Sequence, residues 1–193
     1  MFTDRSSQFE RNPLQRNYGV AVTDVTGDGH AELVVAGYSG ANLVMRWTDD
    51  GFVNVVDDVL ADPERQAIGV AAGDIDGDGR EEVYLLNTDT FAGRKRFADR
   101  LFDHTSDGWV NLFDHPANES VRNLTAGRSV ACIDRRGTGR YGFFVANYGG
   151  PMRLYETVGD EGKLEDVAAE AGVDLTTGGR GVVSLPLVSE QMD

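Results

Sequence analysis

Residues 69–85 read Gly69-Val70-Ala71-Ala72-Gly73-Asp74-Ile75-Asp76-Gly77-Asp78-Gly79-Arg80-Glu81-Glu82-Val83-Tyr84-Leu85, an acidic glycine-rich loop between two apolar runs. Carboxylates fall at loop positions 1, 3, 5 and 9 (Asp74, Asp76, Asp78 and Glu82), and the carbonyl of Arg80 falls at position 7. Odd spacing in a tight turn points these oxygens inward, and Gly77 and Gly79 supply the positive φ that wrapping a small volume requires. Carboxylates crowded to ~4 Å repel by about 1 kcal/mol per pair even at water's dielectric constant. A cation reverses that sign. Calcium accepts about six to eight oxygens at roughly 2.3–2.6 Å in irregular geometry, whereas magnesium demands a tighter octahedron, so Ca2+ is the expected ion. Asp and Gly also form plain turns, but a bare turn does not require an acid at every second position. An EF-hand opens with the same residues yet needs Glu at position 12 and flanking helices. Position 12 is Leu85 and both flanks are strand-like, which excludes it.

Working outward, the stretch is one copy of a repeat. Gly19-Val20-Ala21-Val22-Thr23-Asp24 and Ser129-Val130-Ala131-Cys132-Ile133-Asp134 match Gly69 to Asp74, with 50 and 60 residues between successive aspartates. Those spacings lie within or just above the range of propeller blades and solenoid units. Asp50-Gly51-Phe52-Val53-Asn54-Val55 recurs as Asp107-Gly108-Trp109-Val110-Asn111-Leu112, and Ala36 to Gly40 as Ala146 to Gly150. A fourth copy begins at Gly181-Val182-Val183-Ser184. The second copy carries an insertion around Phe91-Ala92-Gly93-Arg94-Lys95-Arg96.

In the first unit, Val20 to Val22, Leu33 to Val35, Val44 to Trp47 and Phe52 to Val56 are short apolar runs separated by turn residues. Four short strands per repeat predict an all-β fold of antiparallel β-propeller blades, with a β-solenoid as the competing architecture. Helix is expected only at Leu164 to Ala171 and Asp57 to Gln66. Residues 1–18 would end a preceding blade, since Phe2-Thr3-Asp4 resembles Leu164-Glu165-Asp166. Blades would follow over 19–68, 69–128 and 129–180, with 181–193 starting another. A ring needs at least about four blades. An incomplete ring is therefore expected, which a second copy or a partner chain would complete.

The first unit repeats the loop with less charge: Asp24, Thr26, Asp28, His30 through its carbonyl, and Glu32. A second, weaker Ca2+ site is expected there, because affinity follows ligand charge count and rigidity. In the third loop Arg136, Thr138 and Gly142 stand at positions 3, 5 and 9, and a guanidinium beside Asp134 predicts no metal. The fourth register offers Pro186, Val188 and Glu190, which is no site.

The pattern Gly-Val-Ala-x-x-Asp-x-Asp-Gly-Asp-Gly followed by an apolar strand resembles the FG-GAP/VCBS repeat of integrin α-subunit heads and microbial surface proteins. Ala146-Asn147-Tyr148-Gly149-Gly150-Pro151, Arg153-Leu154-Tyr155 and Leu164 to Gly172 are similar to the cartilage-acidic-protein-like branch, whose members often carry an ASPIC/UnbV segment. The resemblance implies a calcium-binding propeller, extracellular or at the cell surface, in adhesion or recognition of a protein or glycan. Two alternatives stand beside it: an accessory or catalytic propeller domain of a carbohydrate-active enzyme, and a truncated gene product without independent function. A catalytic set is not apparent outside the metal loops, so no enzyme is expected.

Composition bounds the rest. The 193 residues carry 32 Asp+Glu against 18 Lys+Arg, a net charge of -14, which repels phosphate backbones and makes nucleic acid an improbable partner. Apolar runs fall short of the ~20 residues that cross a bilayer. Met1 to Arg5 has no hydrophobic stretch behind it, so no secretory signal is expected in this chain. Lys95 and Lys163 are the only lysines, a balance suited either to concentrated salt or to a GC-rich genome. Cys132, the only cysteine, reads as a small buried hydrophobe. His30, His104 and His115 and the Arg94-Lys95-Arg96 cluster read as solvated loop residues. Asn118-Glu119-Ser120 and Asn123-Leu124-Thr125 are glycosylation sequons.

Overall fold

The computed structural model describes residues 2–11, 13–159 and 162–185. It is nearly all β, in three antiparallel blades. The first is β1 (Asn17–Thr23), β2 (Glu32–Gly37), β3 (Leu43–Thr48) and β4 (Gly51–Asn54), bonded in chain order. After the one-turn helix α1 (Asp58–Ala61) comes the second blade: β5 (Ala67–Gly73), β6 (Glu82–Asn87), β7 (Arg100–Thr105) and β8 (Gly108–Asn111). The third is β9 (Gly127–Ile133), β10 (Gly142–Pro151), β11 (Arg153–Thr157) and β12 (Leu164–Asp166), with β13 (Thr176–Gly178) paired to the far end of β10. Among the described residues these blades form no closed ring.

The two larger core clusters lie between blades, and a smaller one of Leu154, Val167 and Ala168 lies within blade three. Every residue of β6 is buried, and its side chains alternate between two clusters. Val83 and Leu85 pack with Val34, Ala36, Val44 and Phe102 between blades one and two. Tyr84 and Leu86 pack with Phe113, Phe143, Val145 and Tyr155 between blades two and three. The innermost strands approach closely enough to require glycine: a Cβ on Gly19 would stand 2.9 Å from the Cα of Gly69. The outer blades keep one face open. Val20, Val22 and Trp47 stay exposed, because alternation turns them away from blade two.

Several expectations are corrected. Leu164 to Ala171 is not a helix; Leu164–Asp166 pairs with β11 and a turn follows. Sheet pairing there overrides a short periodic pattern. Phe2 to Asp4 is not a strand; the N-terminal segment meets the β4 edge further along, where Phe9 bridges and stacks on Phe52 with ring centroids 5.1 Å apart. Gly181 to Ser184 is not a strand either; Val182 N–H donates to Ser129 Oγ at 3.2 Å. Pro186, Val188 and Glu190 lie outside the described residues. His104 sits on β7, half-buried and edge-on to Trp109.

The insertion is not a solvated loop throughout. Lys95 is buried, paired with the equally buried Asp99, and donates to the Asn87 carbonyl at 2.8 Å. Asp99 also accepts from the Tyr84 hydroxyl and the Asn123 amide, both at 2.7 Å, and from Asn87 N–H at 2.8 Å. The network straps the insertion to blade three, where Gly93 N–H donates to the Tyr148 carbonyl. Both sequon asparagines are fully buried and committed: Asn123 to Asp99 and Asn147, Asn118 to the Leu112 and Gly162 carbonyls. Glycosylation at either would require local unfolding.

In blade one Asn42 does what Asp99 does here, its Oδ1 accepting Gly37 N–H at 2.9 Å. Lys95→Met should therefore cost about 3–5 kcal/mol in urea denaturation, because it strands a buried carboxylate. Adding Asp99→Asn should recover most of that loss. A single substitution that costs less than about 1 kcal/mol would contradict the pairing.

Candidate metal centre

The three β-hairpin loops share one backbone shape, set by their first aspartate and two glycines. Asp74 Oδ1 and Oδ2 accept the N–H groups of Gly77 and Gly79 at 2.6 and 2.9 Å. Asp24 does the same for Gly27 and Gly29, both at 2.7 Å, and Asp134 takes Gly139 N–H at 2.6 Å. The glycines lie at φ +71 and +84° in loop one, +84 and +91° in loop two, and +66 and +80° in loop three. The loop folds this way whether or not it carries the acids for an ion. The Gly29 N–H bond, then those of Gly27 and Asp28, hold the Asp24 carboxyl below its ordinary range.

Charge distinguishes the loops. In loop two the carboxylate oxygens of Asp74, Asp76 and Glu82 lie within 4.8 Å of one another. Glu82 is fully buried at the start of β6, its Oε2 accepting Ile75 N–H at 2.7 Å. Asp76 Oδ1 accepts Asp78 N–H at 3.0 Å. Asp78 is exposed and outside the cluster, with Oδ1 turned to Arg80 N–H at 2.8 Å. Blade three grips the loop from behind: Tyr141 N–H donates to the Asp74 carbonyl and the Thr157 hydroxyl to the Ile75 carbonyl, at 2.8 and 2.7 Å.

A third-strand residue that sequence reasoning missed completes the comparison. Met45, Phe102 and Tyr155 stand opposite Leu33, Val83 and Phe143, the residues following position 9 in each loop. The next residues, Arg46, Asp103 and Glu156, therefore hold equivalent places. Arg46 bonds Glu32 through Nε at 3.0 Å and Asp28 through Nη2 at 3.2 Å, so a protein cation already stands among the acids of loop one. Thr26 is drawn into the same group, its Oγ1 lying 3.4 Å from Glu32 Oε1, while His30 is exposed. In blade three the signs invert: Arg135 forks onto Glu156 at 2.5 and 3.1 Å, and Arg136 reaches it at 3.5 Å. Only blade two has acids at both places. Offset counting along the third strands could have found this position.

The fields in blade two follow. Burial, then Asp76, Asp103 and Asp74, push Glu82 up to about 8 despite the Ile75 bond. Burial followed by Asp76 and Asp78 raises Asp103, and burial also raises Asp76. The residues fit a hard divalent cation, because three converging carboxylates form an all-oxygen donor set. Bound there, such an ion would offset most of the charge of the cluster and tie β5 to β6.

Residues 24–85 match the family described as FG-GAP-like repeat. The chain is similar to cartilage acidic protein 1. Identity is 46% to the Xenopus tropicalis and Homo sapiens proteins and 45% to that of Mus musculus, over 94% of this chain. The chain spans about a third (31–32%) of the length of these curated relatives.

Glu82 makes the ion-free protein pH-sensitive. Its pKa is raised on folding, so its contribution is fully present below about 4.5 and is lost as pH climbs through about 8. Asp76 and Asp103 act in the same direction. In chelator, denaturant stability should be lower at pH 8 than at pH 5, and Glu82→Gln should flatten that slope. An unchanged slope in the variant would exclude Glu82 as its main source.

Proposed function

We propose that this chain is a non-catalytic calcium-binding repeat module whose propeller face recognises a protein or glycan. The carrying observation is electrostatic: blades one and three neutralise their loops with arginine, and blade two leaves Asp74, Asp76 and Glu82 converged beside Asp103. Asp74, Asp76, Glu82 and the Arg80 carbonyl would hold the ion, with Asp78 turning inward or acting through water. Arg46 leaves the set of Asp24, Thr26, Asp28, His30 and Glu32 at most a weak second site. The non-catalytic, adhesive and extracellular parts of the reading are supported by the family likeness. An extracellular setting suits the weak affinities, about 10⁻⁴–10⁻³ M, of such modules.

At a calcium concentration 100 times Kd, binding should add about 2.7 kcal/mol. For a domain of this size that raises Tm by about 5–10 °C. Asp76→Asn, which keeps an acceptor for Asp78 N–H, should remove most of the rise. No shift at calcium up to about 0.1 M, 100 times the weakest of those affinities, would overturn the assignment. Arg46→Asp together with Thr26→Asp gives blade one the acids of blade two, so calorimetric stoichiometry should go from one ion to two. A stoichiometry of two in the unaltered protein would show that Arg46 does not block loop one.

A further inference from the structure

The second residues of the three inner strands, Tyr18, Ile68 and Arg128, lie at the strand ends opposite the acidic loops. With Phe91 of the insertion and Arg180 they line a groove of about 490 Å³ spanning all three blades. Tyr148 holds the arginines in place. Phe91 meets its ring edge-on at 5.3 Å, the Arg128 guanidinium lies 5.0 Å from Phe91 and 5.5 Å from Tyr148, and that of Arg180 lies 5.3 Å from Tyr148. Arg128 is further fixed by donating to the Phe91 carbonyl.

These two guanidiniums stack on aromatic rings, whereas several others in the molecule are ion-paired. Arg46, Arg65, Arg100, Arg135 and Arg153 each pair with a carboxylate. Among the described residues Arg128 and Arg180 pair with none, in a chain of net charge -14. Asp89, in the same groove, is taken up by Arg96 N–H, which bonds both its oxygens at 3.1 and 3.0 Å. Stacking occupies the faces of a guanidinium and leaves its edges to donate. At Arg180 the N–H fork is left to donate bidentately to a carboxylate, and at Arg128 the N–H groups left over after Nη1 and Nη2 donate to the Gly127 and Phe91 carbonyls. Beside this pair, Phe91 is 65% and Tyr18 64% exposed. Large exposed rings next to held cations form an amphipathic recognition surface.

We infer that this groove binds an extended acidic peptide, with carboxylates on Arg128 and Arg180 and apolar side chains against Phe91, Tyr18 and Ile68. The occupant follows from both halves of the lining. Unpaired cations call for carboxylates, and the exposed rings reward burial of apolar side chains, which a polyuronate lacks. The acidic loops stand about 20 Å away along the inner strands. At 0.15 M salt the Debye length is about 8 Å, so their repulsion is screened while contact pairs survive. This inference deepens the recognition half of the proposed function and rests on it, but not on calcium.

The test is fluorescence anisotropy in chelator at 0.15 M salt, with a labelled peptide alternating glutamate and tyrosine. Its glutamine counterpart should bind at least about tenfold more weakly. Arg180→Gln, on an exposed residue, should weaken binding of the acidic peptide about tenfold. Arg128→Gln with Arg180→Gln should abolish it, melting curves confirming that the double variant folds. Equal binding of both peptides, indifference to Arg180→Gln, or binding of an oligogalacturonate in place of the peptide would overturn the inference. A lost calcium response with peptide binding intact would sink the calcium reading alone. A calcium response without peptide binding would sink this one.

Discussion

Burial of both faces of the middle blade is the constraint on which the rest depends. Strand β6 passes through the molecule with alternate side chains committed to opposite clusters, Val83 and Leu85 to one neighbour and Tyr84 and Leu86 to the other. Neither cluster exists within a single blade, so each blade needs its neighbours to remove its apolar face from water. Close approach of the inner strands, to the point of excluding a Cβ at Gly19, follows from that packing. So does the position of the second loop, held from behind by Tyr141 and Thr157 of the third blade.

Within this frame the hairpin loop works as a shape with interchangeable charge. Its first aspartate and two positive-φ glycines reproduce the same turn three times. What the turn encloses depends on one residue delivered by the third strand. An arginine among carboxylates, as at Arg46, completes the balance within the blade, and an acid beneath arginines, as at Glu156, does so with reversed signs. Where the third strand supplies Asp103, burial and like charge drive Glu82 upward to about 8. A proton on Glu82 would relieve that imbalance, and so would a cation at the cluster.

The opposite end of the inner strands uses charge differently. Arginines there are held by rings rather than by acids, and the insertion that brings Phe91 to Tyr148 is fastened by the buried Lys95–Asp99 pair. A buried ion pair is weak evidence for stability, and registering an inserted segment is the role its place favours. That role explains why one of only two lysines in the chain is spent where no solvent reaches it.

Much of the fold was legible because its signals are local and repeated. Strand alternation, the Asp-Gly hairpin turns, the Gly-Val-Ala run before each loop and the odd spacing of Asp74, Asp76 and Glu82 all act over a few residues. They can therefore be read one unit at a time. The segments at Phe2 and Gly181 were misread for the same reason: a strand motif forms a strand only beside another strand, and pairing is not local. Arg46, Asp103 and Glu156 lie 14 to 22 residues from the nearest acid of their loops, and only β pairing brings each back to its own turn. The chain by itself determined three blades and the path of their loops, through short-range sterics and periodicity. Which loop is left in need of a cation, which lysine is buried and which arginines stay unpaired were decided by tertiary contact, because electrostatic energy depends on distances that only folding sets.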